Sequence, residues 1–202
     1  MLALCTTLGF LYVPAASAAG GELMAWGDHV SQPATALTHV VAIAFGGTHG
    51  LVLRADGTVR GWGRNYDGVC TPPLPARPFT RIATSTWTSI GLTIDGTVVV
   101  WGDDYYHQKQ IPEPNADFID VSVATHCLAV RSTGVVVAWG VNGAGQCNVP
   151  APNTGFVAVS AADGHSLGLR QDGSLVAWGD NSNGQCVIPT PNADFRAAVT
   201  GG

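Results

Sequence analysis

Short apolar runs alternate with polar turns along most of the chain. The clearest stretch begins at Phe156-Val157-Ala158-Val159 and passes a loop to His165. A second run, Leu167-Gly168-Leu169, leads to Asp172-Gly173, and a third, Ser174-Leu175-Val176-Ala177, ends in Trp178-Gly179. Runs this short, rich in β-branched and aromatic residues and bounded by Gly, Asp or Pro, predict strands rather than helices. Asp-Gly between two runs predicts a hairpin, because Gly adopts positive φ without a steric cost. The same order recurs upstream. His49 and His126 precede Leu51-Val52-Leu53 and Leu128-Ala129-Val130. The turns Asp56-Gly57, Asp95-Gly96 and Thr133-Gly134 follow their second runs. Trp-Gly occurs at Trp26, Trp62, Trp101, Trp139 and Trp178, at spacings of 36, 39, 38 and 39 residues. A polar loop follows each Trp-Gly, and a Pro-x-Pro-Asn linker closes three of the units at Asn115, Asn153 and Asn192. Each unit is therefore an antiparallel sheet of three or four strands. Repeats of this length built from such sheets predict propeller blades.

Residues 164–185, Gly-His-Ser-Leu-Gly-Leu-Arg-Gln-Asp-Gly-Ser-Leu-Val-Ala-Trp-Gly-Asp-Asn-Ser-Asn-Gly-Gln, resemble the regulator of chromosome condensation (RCC1) repeat. The resemblance spans about residues 22–202 and recurs four times in order. It implies an all-β, RCC1-like β-propeller, a fold that usually has seven blades in this family. The founding member is a nuclear exchange factor for the small GTPase Ran, with longer repeats. The 38–39-residue period is closer to short-repeat secreted members, among them an RCC1-like β-lactamase inhibitor that works purely by binding. Four repeats are complete here. Phe195 to Gly202 begins a fifth, and Glu22 to Trp26 supplies only a closing strand. The expectation is an incomplete ring or a fragment of a longer chain, with sheet edges left open.

Composition narrows the function. Nine Lys and Arg against fourteen Asp and Glu give a net charge of −5, which argues against nucleic-acid binding. Charged residues are 11% of the chain and hydrophobic residues 46%, which argues against disorder. Residues 1–19 are uncharged, with an apolar run to Val13 and Ala16-Ser17-Ala18 as a small-x-small cleavage pattern. That segment reads as a signal peptide, too short to span a bilayer. The expected organisation is a leader over residues 1–19 and a repeat domain over residues 20–202, in a secreted or extracytoplasmic protein.

Repeat-equivalent residues read as scaffold. The Trp-Gly tryptophans and Phe79, Phe118, Phe156 and Phe195 are expected between blades. His49, His126 and His165 are expected to form structural hydrogen bonds, since Thr88 interrupts their ring. Cys70, Cys147 and Cys186 lie eight residues after their tryptophans and, on neighbouring blades, are too far apart for disulfides. They read as small, semi-buried thiols filling a slot where Lys109 stands in the variant repeat, and Cys127 is the fourth cysteine of the repeat domain. Asp180 to Gly184 reads as a turn rather than a calcium loop. No catalytic residue, metal site or cofactor is expected.

The positions that break the repeat are the informative ones. Trp87-Thr88 replaces the Thr-His or Gly-His of the other repeats, and Asp103-Asp104-Tyr105-Tyr106-His107 replaces a bland Asn-Gly loop. Hairpin topology puts both segments at one end of the blade, with Tyr66 on the neighbouring blade. Exposed Trp and Tyr ringed by charge is the composition of a protein-binding hot spot. The expected activity is non-catalytic binding of a protein partner through Trp87, Tyr105, Tyr106, His107, Tyr66, Asp103 and Asp104. The alternatives are a carbohydrate-binding or hydrolytic propeller using Asp103 or Asp104, and a guanine nucleotide exchange factor like the founder.

Overall fold

A computed structural model describes residues 11–12, 38–73 and 77–201. The described residues contain thirteen strands. They are β1 (Leu11–Tyr12), β2 (Val40–Phe45), β3 (His49–Arg54), β4 (Val59–Gly63), β5 (Phe79–Thr84), β6 (Thr88–Thr93) and β7 (Val98–Gly102), then β8 (Phe118–Val123), β9 (His126–Arg131), β10 (Val136–Gly140), β11 (Phe156–Ala161), β12 (His165–Arg170) and β13 (Leu175–Gly179). They form four antiparallel sheets, β2-β3-β4, β5-β6-β7, β8-β9-β10 and β11-β12-β13, with β1 added along β2. Each sheet is one blade, numbered one to four. The blades are three-stranded as expected, apart from that two-residue addition. The leader expected over residues 1–19 and the closing strand expected at Glu22 to Trp26 lie outside the described residues, except for β1.

The leading strands β2, β5, β8 and β11 pack against one another around the axis. Each has a register shift after its first residue, as between Phe118 and Asp120 or Phe156 and Ala158. These bulges bend the strand where it enters the blade. Among the described residues no strand pairing joins blade four to blade one.

The core lies between blades, not within them. Leu51 and Leu53 of blade one pack with Phe79, Ile82 and Trp101 of blade two. Ile90, Leu92 and Val98 of blade two meet Phe118, Val121 and Trp139 of blade three. Leu128, Val130 and Val136 of blade three meet Phe156, Val159 and Trp178 of blade four. Each blade therefore offers its Phe and Trp to the blade before it. A fully buried large side chain of this kind stabilises by about 1.5–3 kcal/mol. The Phe ring also dictates the residue opposite it. A Cβ on Gly91 would lie 2.6 Å from the Phe79 ring, and one on Gly168 would lie 2.5 Å from the Phe156 ring.

The linkers are clasped by one residue each. Asn115 accepts from the Val98 amide at 2.8 Å and donates to the Val98 carbonyl at 2.9 Å. Asn153 and Asn192 hold Val136 and Leu175 in the same way.

The C-terminal segment departs from the expected pattern. Phe195 donates to the Gly173 carbonyl at 3.0 Å, as Phe156 does to Gly134 at 3.1 Å. Thr200 donates to Ser160 Oγ at 3.0 Å, as Ala161 does to Ser122 Oγ. The path of a leading strand is thus begun, but residues 195–200 form no strand, and Phe195 is only half-buried. No second strand lies beside it among the described residues, so nothing completes its ladder.

Candidate functional site

Two of the three junctions between blades carry the same polar latch. His49 Nε2 lies 3.1 Å from Ser89 Oγ on the next blade. Ser89 Oγ donates to the Val69 carbonyl at 2.9 Å, and Trp101 Nε1 donates to that carbonyl at 2.8 Å. Between blades three and four, His126 Nε2 lies 2.7 Å from Ser166 Oγ. Ser166 Oγ and Trp178 Nε1 both donate to the Gln146 carbonyl at 2.8 Å. Because the serine proton goes to a carbonyl, the histidine must donate from Nε2, which fixes its neutral tautomer. Burial pushes both His49 and His126 down to about 4. The structural role expected for these histidines is what the geometry provides.

The junction between blades two and three is built differently. Thr88 stands in place of His and Cys127 in place of Ser. Trp139 Nε1 still donates to the Gln108 carbonyl at 2.7 Å. Thr88 Oγ1 turns back into its own blade and donates to the Asp103 carbonyl at 3.3 Å. Sequence reasoning noticed Thr88 but missed the serines. The joint replacement of both partners at one junction is the signal that reveals the pairing.

The loops after Trp-Gly share a second device. Asn65, Asn142 and Asn181 accept from the amides of Cys70, Cys147 and Cys186 at 2.8, 2.9 and 2.9 Å. Each cysteine thiol lies 3.2 Å from the carbonyl of Arg64, Val141 or Asp180. All four described cysteines are free thiols. In the variant repeat Asp104 takes the Asn position and accepts from the Lys109 amide at 2.7 Å. Asp103 accepts from the Tyr105 amide at 3.0 Å, as Asp180 does from Ser182 at 2.9 Å. Both carboxylates are therefore held by backbone amides within their own loop.

The same loops carry the aromatic residues. The Asp103 amide donates to the Trp87 carbonyl at 2.9 Å, which ties the hairpin loop to the loop after Trp101. Trp87 is 46% exposed, Tyr105 76%, Tyr106 39% and Tyr66 60%. The Tyr105 and Tyr106 rings meet edge-on, with centroids 4.9 Å apart. Tyr66 lies in the equivalent loop of blade one, with the Arg64 guanidinium over its ring. That loop reaches β7, and its Val69 carbonyl is the one held by blade two. His107 has φ 60°, a left-handed conformation that Gly68, Gly145 and Gly184 occupy in the other repeats. Its Nδ1 lies 3.2 Å from Gln110 Nε2. No group of three or more His, Cys, Asp or Glu that could hold a metal occurs among the described residues.

Short blades stacked through Trp and His, with variable loops at one end, define a repeat-propeller scaffold. The family model for the regulator of chromosome condensation (RCC1) repeat matches residues 40–69 and 156–185. Two stretches of the chain thus match the RCC1 repeat, and its architecture is RCC1-like. The ectodomain of the Physcomitrella patens receptor kinase CR4 is similar at 25% identity and a TM-score of 0.64, over 80% of this chain and 45% of that one. Prp20p from Saccharomyces cerevisiae is similar at 20% identity and a TM-score of 0.61, over 74% and 46%. Human WBSCR16 is similar at 19% identity and a TM-score of 0.59, over 69% and 47%. The last two share the fold alone. This chain spans less than half the length of each of the three. No curated protein matches it in sequence.

Proposed function

We propose that this chain is an exported, non-catalytic interaction module whose protein partner docks on the aromatic rim of blade two. The coarser part rests on the fold, since RCC1-like propellers are mainly binding scaffolds. The finer part rests on one contrast. Aromatics at repeat-equivalent strand positions are buried, whereas Trp87, Tyr105, Tyr106 and Tyr66 are exposed on loops at one end. His107 and the flanking Asp103 and Asp104 complete the surface. Of the solved relatives, Prp20p binds Gsp1p and histones, and a complex with Kap60 is also known. At 20% identity that likeness lends this chain a protein-binding scaffold and not those partners.

Four free cysteines run against the pairing usual in exported proteins, and their burial is what reconciles them with export. Burial raises the thiol pKa of Cys70, Cys147 and Cys186, and raises Cys127 further. Thiols kept protonated react slowly, so they survive unpaired in an oxidising compartment. A mature amino terminus near Gly20, read by mass spectrometry after expression, supports export. Retention of Met1 to Ala19 refutes it.

The rim is tested with the double variant Trp87→Ala, Tyr105→Ala. It should keep the thermal midpoint of the parent and lose the partner recovered from the native extracellular fraction. An unchanged set of bound proteins rejects the rim as the docking surface.

A further inference from the structure

The end of the propeller that carries the rim is also its acidic end. Only Arg64 and Lys109, of nine basic residues, lie in the loops there. Five acidic residues share those loops: Asp67, Asp103, Asp104, Asp163 and Asp180. The remaining arginines sit on strands or near the Asp-Gly turns at the opposite end, where acidic and basic residues nearly balance. More than half of the net charge of −5 is thus gathered on the aromatic face.

A pocket opens on the axis at this same end. It is lined by Phe45, Thr84, Ser85, Thr86, Ser160 and Asp163 among others, with a volume of about 130 Å³. Thr86 precedes Trp87, so pocket and rim are contiguous. Thr84 is 7% exposed, and its Oγ1 is buried without a hydrogen-bond partner among the described residues. That hydroxyl is closed off within the pocket wall, so the polar group open to an incoming side chain is Asp163 at the mouth. Ligand pockets usually begin at about 300 Å³, so this one takes the end of a side chain rather than a free small molecule. Asp163 is exposed at the mouth, and its carboxylate accepts no hydrogen bond among the described residues, although its backbone carbonyl accepts from Thr125 Oγ1 at 2.7 Å.

We propose that the partner presents a basic surface to this face, with a lysine side chain entering the mouth of the axial pocket beside Asp163 while its neighbours lie against Trp87 and Tyr105. This rests on the rim reading above. The ammonium supplies the charge partner that the Asp163 carboxylate lacks among the described residues. Exposed Trp and Tyr faces attract the same cations.

The test titrates the intact chain calorimetrically with a peptide of about ten residues alternating Lys and Gly, and with its Glu-Gly counterpart. The basic peptide should bind and the acidic one should not. Raising NaCl from about 50 to about 300 mM should weaken binding roughly tenfold, because exposed charges are screened over that range. Asp163→Asn should weaken it about threefold to fivefold, roughly one exposed charge. Asp194→Asn, at the opposite end, should have no effect. Asp163→Asn should not lower the thermal midpoint, which separates a lost contact from a damaged fold. Absence of binding by the basic peptide, or equal binding of both peptides, overturns the proposal. Binding that responds to Trp87→Ala but not to Asp163→Asn or salt leaves the rim standing and removes the basic partner. Binding that responds to Asp163→Asn but not to Trp87→Ala does the reverse.

Discussion

Single residues hold this propeller together through a few buried polar contacts. Trp139 shows their weight. Trp139→Phe keeps an aromatic ring but leaves the Gln108 carbonyl only the long contact from the Cys127 thiol at 4.0 Å, and should cost about 1–3 kcal/mol in denaturant unfolding. His49 and His126 add a pH dependence. Their folded pKa values lie near 4, below the ordinary 6.5, so the neutral form is the one the fold holds. The stability they contribute is complete above about pH 6.5 and is lost as pH falls toward 4. His126→Gln should flatten the fall in thermal midpoint across that window, and an unchanged slope there assigns the effect elsewhere. Asp120 runs the other way. Burial raises it to about 6 despite the Arg81 guanidinium 3.5 Å away, so its contribution is lost as pH rises from about 4 through 6. Asp120→Asn should therefore raise stability at pH 7 more than at pH 4. These contacts were only partly legible in the sequence. The Trp and Phe positions announced their burial by recurrence. The serines that receive the histidines did not, because Ser at a strand position carries no signal until its partner forty residues away is known.

At the level of the element, a blade is a sheet whose sides are specified by its neighbours. The strand order, the hairpins at Asp-Gly and the shared end of the two loops were legible, since period-two runs and turn residues fix them locally. The tail from Phe195 was not, because a leading strand needs a second strand beside it, and local pattern cannot report whether one is present. Within blade two, Thr88 joins Trp87 to the Asp103 loop where a His would reach across to blade three. Thr88→His alone should destabilise, since its imidazole meets Cys127. Thr88→His with Cys127→Ser should recover about 1 kcal/mol relative to the sum of the single changes, measured as a double-mutant cycle. Additivity of the two changes excludes a latch at that junction. The His107 loop offers a second test. His107→Gly relieves a left-handed residue and should raise stability by up to about 1 kcal/mol, read in denaturant unfolding. The same change should weaken partner binding if the rim is used, a trade often found where function keeps a strained residue.

Across the whole molecule, scaffold and surface obey different rules. The repeat fixes the interior, so the sequence could be read there by comparing one unit with the next. The candidate face lies where the units disagree, and disagreement shows that a loop is special without showing what it meets. Charge made visible in three dimensions adds to that reading, since Asp67, Asp103, Asp104, Asp163 and Asp180 are scattered in sequence and gathered at one end in the fold.

The altered junction also bears on how such a gene can change length. Unequal recombination between repeats removes or adds whole blades. Losing blade two alone would set His49 against Cys127, and losing blade three alone would set Thr88 against Ser166. Losing both together would bring His49 to Ser166 and restore a matched pair. On this pairing, blades two and three match their neighbours only when kept or removed together.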